Sequence, residues 1–267
     1  MTGVQTCALP IYDVIVMGAK PLFIQDLIVC GKIEKDVVAG LVKYMAKAAE
    51  AQGAVLTGGE TSEQPGVLAP GTYVLGASCI GVAEKDAIID GSKIKEGDTV
   101  LAVESSGLHT NGYSLVRALM KEDPSILEEK IAGKSFLDVI MEPHRCYYQP
   151  FKDLFANPAL NGIAHITGGG IPGNLNRILP AGLDAEIDAS AIKILDVFKF
   201  IKEKSGNDDA DMMRTFNLGV GATLVVDQAA ENDVIAHLKK FSLPCYPIGK
   251  IVKEGSQNIQ MKGSLSW

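Results

Sequence analysis

Nothing in this sequence of 267 residues points to a crosslinked, membrane-spanning or nucleic-acid-binding protein. Its five cysteines, Cys7, Cys30, Cys79, Cys146 and Cys245, are scattered without a C-x-x-C spacing. They read as reduced, mostly buried thiols and exclude a zinc ribbon or a disulfide framework. His144, His165 and His237 are likewise spread without metal-ligand spacing. No apolar run reaches the length of a membrane span, because the richest one is interrupted by Lys20, Pro21 and Asp26, and the opening residues lack the basic stretch of a secretory signal. Lys and Arg number 25 against 32 Asp and Glu, a net charge of −7 that argues against a nucleic-acid binder held by a basic face. Internal repeats and low-complexity segments are missing too. What is left is an ordinary globular composition, 47% apolar, enough for two cores and expected in the cytoplasm.

The informative stretches are loops of small residues between a strand and a helix. Asp98–Glu104 reads as a strand, Ser105-Ser106-Gly107-Leu108-His109-Thr110-Asn111-Gly112 as a loop, and Tyr113, Leu115, Val116 and Leu119 as one face of a helix capped by Thr110 or Asn111. Such a loop suits a phosphate: glycine lets backbone approach, the helix N-terminus favours negative charge, and His109 can supply a proton or a positive charge. A satisfied loop histidine is the plainer reading of His109. The design recurs in the strand Ile163–Thr167, the break Gly168-Gly169-Gly170 and the helix Ile171–Leu179, with Pro172 in its first turn. A tight packing turn is the plainer reading of this second loop. A third element is acidic: Ala54–Thr57 reads as a short buried strand broken by Gly58-Gly59, which releases Glu60 and Glu63 into a loop. Carboxylates placed this way can hold magnesium, although solvated loop charges look the same in sequence. Asp13 and Asp26 flank an apolar stretch, where an unpartnered charge is costly, and Asp26 reads as the more buried of the two.

Elsewhere helix follows strand. Glu34–Ala51 carries Val37, Val38, Leu41, Val42, Met45 and Ala49 on one face and stops before Gly53, and Thr72–Val82 reads as a long strand. Thr223–Val226 and Tyr246–Val252 read as strands around a helix from Ala230 to Phe241, and Met212-Met213 as packing. The pattern predicts an α/β (α+β) chain of two domains: a mixed-sheet domain at 12–86, a linker at 87–97 and a second α/β domain at 98–267.

In order along the chain, Gly18-Ala19-Lys20-Pro21-Leu22-Phe23, Gly58-Gly59-Glu60-Thr61-Ser62-Glu63, Ile89-Asp90-Gly91-Ser92-Lys93, the His109 and Gly168 loops, and Arg214-Thr215-Phe216-Asn217-Leu218-Gly219 resemble phosphoribosylformylglycinamidine cyclo-ligase, the aminoimidazole ribonucleotide (AIR) synthetase family of purine biosynthesis. The resemblance runs from about Asp13 to about Ile251. It implies an AIR synthase-like two-domain fold, ATP and Mg2+, and a homodimer formed through the sheets of the N-terminal domains. It also implies a small-molecule substrate, formylglycinamidine ribonucleotide, whose amide oxygen is phosphorylated before the amidine nitrogen closes the imidazole ring. His109 matches the motif histidine and is expected beside substrate or the transferred phosphoryl group. Asp13 and Glu60 match acidic positions near nucleotide and magnesium, with Asp13 also in the ATP and substrate set. Asn111, Gly168, Gly169 and Gly170 fall on ligand-facing loops. Arg214 and Asn217 belong to the same set, although Arg-Thr-Phe-Asn reads equally as the structural start of a strand.

The front of the chain departs from the family. The glycine-rich opening and the Asp-Gly-Val-Gly-Thr-Lys motif of family members are not found, and Met1–Ile11 resembles a translated sequencing-library adapter. Residues 1–11 are therefore expected to be a non-native leader, and the incomplete N-terminal domain puts activity and dimerisation in question. Other ATP-using members of the superfamily, formylglycinamidine synthetase and selenophosphate synthetase among them, and an inactive fragment of the cyclo-ligase, are the alternative readings.

Overall fold

A computed structural model of the chain describes residues 10–253, 255 and 257–267. Residues 1–9, which make up most of the expected leader, lie outside the described residues. Contacts divide the chain into two units, one comprising the chain up to Ile88 with Cys146–Lys152, the other Ile89–Arg145 with Asp153–Trp267.

The first unit is a three-stranded mixed sheet with strand β1 (Lys20–Cys30) at its centre, paired in parallel with β2 (Val55–Glu63) and antiparallel with β3 (Tyr73–Val82). Helix α1 (Lys35–Ala51) joins β1 to β2, the crossover that a parallel pair requires. Its apolar stripe is only partly covered, with Met45 and Ala49 fully buried and Val37 exposed. Along β1 the burial alternates: Ile24, Asp26, Ile28 and Cys30 point inward and Phe23, Gln25 and Leu27 outward. Residues 10–15 are helical and bury Ile11, Tyr12 and Ile15. Tyr12 meets Tyr147 edge to face at 5.2 Å, and Tyr147 stacks on Phe151 at 5.3 Å. Those contacts tie residues 146–152 to the first unit, a long-range assignment that no local pattern announces.

The acidic strand departs from its sequence reading. Gly58-Gly59 do not break β2, which continues through Glu60 to Glu63 against β1, and Val55 is exposed, not buried. The pairing slips so that Ile24 faces Leu56 and Gln25 faces Gly58, leaving Thr57 as the extra residue of a bulge. Gly59 is required by close approach: a β-carbon there would lie 2.0 Å from the Asp26 carbonyl oxygen.

The second unit is a six-stranded sheet. Its strands are β4 (Thr99–Glu104), β5 (Leu160–His165), β6 (Asp184–Asp188), β7 (Val220–Val226), β8 (Cys245–Val252) and β9 (Ile259–Lys262), in the order β9-β6-β8-β4-β7-β5. All seven residues of β7 are buried, the uninterrupted apolar run of a strand covered on both faces. Helices α2 (Tyr113–Glu122), α3 (Gly170–Leu175), α4 (Asp196–Ser205), α5 (Asp209–Thr215) and α6 (Glu231–Lys239) accompany the sheet. Val116, Phe136, Ile171, Phe198 and Phe216 share the main core with Met212, which is fully buried as its packing role predicted. The helix expected at 171–179 is shorter, continuing beyond Leu175 as a turn of 3-10 helix. Among the described residues no helix is long and apolar enough to cross a membrane.

Candidate active site

Strand order brings three separate motifs to one place. Strand β7 lies between β4 and β5 and is antiparallel to both, so β4 and β5 run in the same direction. Their C-terminal ends and the start of β7 therefore meet at one end of the sheet. The His109 loop leaves β4 there, the triple-glycine loop leaves β5, and Arg214–Gly219 enters β7. Backbone bonds close the junction, from Ser105 N–H to the Gly219 carbonyl at 2.9 Å and from Ile166 N–H to the Gly221 carbonyl at 3.0 Å.

Asn217 latches the His109 loop. Its amide donates to the carbonyls of Gly107 at 3.0 Å and Leu108 at 3.5 Å, while its Oδ1 accepts from Gly219 N–H at 2.8 Å and from the Ser105 hydroxyl at 3.1 Å. It is 4% exposed, and these bonds make it an organising residue of the loop. Arg214 adds a backbone tie. Its guanidinium is solvent-exposed and pairs with Asp211 at 2.6 Å, whereas its carbonyl accepts from Gly169 N–H at 2.8 Å.

The glycine loop is tightly spent on itself. Gly170 N–H donates to the Thr167 carbonyl at 3.0 Å and Gly169 N–H to the Arg214 carbonyl at 2.8 Å. Gly170 has φ 60, and a β-carbon there would lie 2.0 Å from the Met213 carbonyl oxygen. Asn174, buried on α3, donates to the Gly170 carbonyl at 2.8 Å and accepts from the Thr167 hydroxyl at 3.1 Å. Gly168 is the exposed member of the three, and a β-carbon on it would stand 3.4 Å from Asn111 Oδ1. Asn111 and Gly168 thus form the open rim where the two loops adjoin. Helix α2 begins at Gly112 with no side-chain cap, so neither Thr110 nor Asn111 fills that role.

His109 is inside the unit, 2% exposed, with φ 58. Its Nε2 accepts from Ser106 N–H at 3.1 Å. Two further histidines join it. His144 stacks on it with ring centroids 3.9 Å apart and an interplanar angle of 18°, and His165 lies 5.6 Å from His144. The three offer ligand atoms within 4.8 Å of one another, where the sequence showed only widely separated positions. Burial, followed by the neighbouring His144, His165 and Arg145, holds the pKa of His109 well below the usual histidine value. Burial lowers His144 to about 3, and burial with His144 does the same for His165. All three imidazoles are neutral at physiological pH.

In the first unit, Glu60 pairs in register with Leu27 and shares its outward face, whereas Asp26 pairs with Gly59 on the inward face. Glu60 lines a cleft of about 590 Å3 together with Gln25, Leu27, Gly58, Gly76 and Ser78. Asp13 lies near Cys79 of β3, whose thiol is pushed up by burial and by the Asp13 charge. Burial raises the Asp13 carboxyl itself. Cys79 pairs with inward-facing Ile24 on the opposite edge strand from Glu60.

The family model described as "AIR synthase related protein, C-terminal domain" matches residues 95–262, and its N-terminal counterpart matches residues 2–83. The phosphoribosylformylglycinamidine cyclo-ligase of Methylobacillus flagellatus is 40% identical over 97% of this chain and 75% of its own length. The chain belongs to the AIR synthase family. The fold agrees: the thiamine-monophosphate kinase of Stenotrophomonas maltophilia superposes with a TM-score of 0.75 at 17% identity, over 99% of this chain and 79% of its own. A hydrogenase maturation protein HypE crystallised in complex with ATP gives 0.73 at 17%, over 97% and 75%. In AIR synthase terms, the motif histidine, the glycine loop and the Arg-Thr-Phe-Asn run converge at one sheet end. Sequence reasoning missed Ser106, His144 and Asn174, since a loop residue without periodicity or a fixed spacing to a partner carries no local signal of its neighbours.

Proposed function

We propose that this chain catalyses the ATP-dependent closure of formylglycinamidine ribonucleotide to 5-aminoimidazole ribonucleotide, releasing ADP and phosphate, as a ligase of purine biosynthesis. The observation that carries this reading is the 40% identity to a cyclo-ligase over 97% of the chain. The meeting of the family motifs at the ends of β4 and β5 supports it. Phosphoryl transfer and ring closure depend on positioning and on neutralising charge. In this reading the substrate and nucleotide contact the rim formed by Asn111 and Gly168, Gly169 and Gly170 set the shape of that rim, and His109 acts beside the reacting groups through its Nδ1 side. Asn217 and Arg214 hold the loops.

Magnesium would neutralise phosphate charge during the transfer. Among the described residues no three carboxylates gather at a common point, the only cluster of metal-ligating type being the three histidines. The donors therefore suit the common magnesium arrangement of one carboxylate completed by phosphate oxygens and water, with Glu60 as the protein ligand. Asp13 is assigned to the acidic positions near nucleotide and magnesium. ATP use is further supported by the fold shared with the ATP complex of HypE.

The outward face of β1–β3 carries Phe23, Leu27, Val55, Val74 and Ile80, all more than two-fifths exposed. An apolar face of this kind is suited to a second copy of the chain, and we assign it to a homodimer. We place the protein in the cytoplasm and retain a division into an N-terminal domain at 12–86, a linker at 87–97 and a second domain at 98–267. Incubation with formylglycinamidine ribonucleotide, ATP and Mg2+ tests the assignment: formation of aminoimidazole ribonucleotide with one ADP per turnover is expected. Lack of product here and in a protein carrying a family-type N-terminal segment would overturn it.

A further inference from the structure

We infer that His144 is a positioning residue, which by stacking face to face on His109 holds that ring in one orientation and one tautomer. The inference rests on the reading of His109 as part of the reaction site.

The two rings are placed by one clamp. The Ser106 hydroxyl donates to the Pro143 carbonyl at 2.8 Å and accepts from Arg145 N–H at 3.1 Å, so the residues on both sides of His144 are tied to Ser106. The Arg145 guanidinium adds a bond to the Glu104 carbonyl at 3.5 Å, at the end of β4. Ser106 is also the residue whose backbone N–H grips His109 Nε2. That bond leaves Nε2 with its lone pair and puts the proton of the neutral ring on Nδ1. The stack then opposes rotation of the ring plane, and the left-handed backbone at His109 fixes where the side chain starts. The titratable and charged groups acting on His109 are His144, His165 and Arg145, each of which opposes a positive charge there. The outcome is a ring that donates from Nδ1 without carrying charge.

A shared metal ion is the competing use of three such histidines, and the geometry disfavours it. Imidazole lone pairs lie in the ring plane. Rings stacked 3.9 Å apart at 18° keep theirs in two near-parallel planes, which do not meet at one ion between the faces, and on His109 the Nε2 lone pair is already engaged by Ser106.

Long-range 1H–15N correlation spectra of histidine-labelled protein read tautomer and titration directly, independent of turnover. The parent protein is expected to show His109 as a single Nδ1–H tautomer from pH 8 to pH 5. His144→Ala is expected to introduce the second tautomer and raise the His109 titration midpoint by about one pH unit or more. His144→Phe, which keeps a stacking face, is expected to restore the single tautomer. The acid limb of the kcat profile should move with the midpoint. If the alanine variant does not fold, His144→Leu fills the same space without an aromatic face and serves the comparison. An unchanged His109 spectrum in the variant lacking the ring would overturn the inference, as would stoichiometric Zn2+ binding by the parent that His144→Phe abolishes. Altered spectra with unaltered turnover would uphold the positioning and remove His109 from the reaction.

Discussion

Burial of neutral histidine has a measurable cost in acid. His144 and His165 titrate at about 3 in the folded chain, against an ordinary value of 6.5 once unfolded. A depressed folded pKa means the unfolded state takes up protons first, so stability is complete above pH 6.5 and falls as pH drops toward 3. Each histidine contributes a slope of about 1.4 kcal/mol per pH unit in that window. Urea denaturation of the protein at pH 7.5, 6.0 and 5.0 should show a falling midpoint, and replacing both residues by phenylalanine should flatten the dependence. Asn217 is the second residue whose role can be isolated. Asn217→Ala leaves the buried Gly219 N–H without its acceptor and removes one of the two donors to the Gly107 carbonyl, and a loss of about 2–3 kcal/mol is expected from a thermal or chemical melt. A variant as stable as the parent would show that the loop holds without its latch.

At the level of elements, the glycine loop separates folding from binding. Gly170 combines a positive φ with a β-carbon position blocked by the Met213 carbonyl, so Gly170→Ala is expected to destabilise the protein by about 2 kcal/mol or more. Gly168 has neither restriction beyond ordinary contact with Asn111. Gly168→Ala should therefore melt close to the parent while weakening nucleotide or substrate affinity in calorimetry, because it narrows the rim between the two loops. Equal affinity would make the rim a bystander. Elements escaped the sequence reading where their signal was mixed. Strand β6, Asp-Ala-Glu-Ile-Asp, alternates correctly but is built largely from residues of low β propensity, and β2 hides a continuous strand behind two glycines. Both are held by pairing with neighbours far away in sequence, which a local window does not contain.

For the whole molecule, the apolar outward face of the three-stranded sheet is the clearest liability and the clearest clue. Light scattering on the purified protein should give a dimer, and Leu27→Asp with Phe23→Asp should shift it to a monomer with little change in its helix content. A monomeric parent would remove the assignment. Much of the order of strands and helices, the two small-residue loops and the family motifs were legible from residue pattern, because amphipathic periodicity and glycine placement are written locally. Two outcomes were not: the meeting of the His109, Gly168 and Asn217 segments, and the assembly of His109 with His144 and His165. Each follows from strand order and register, with β7 between β4 and β5. Those are set by pairing energies between residues distant in the chain, so only folding brings them into one place.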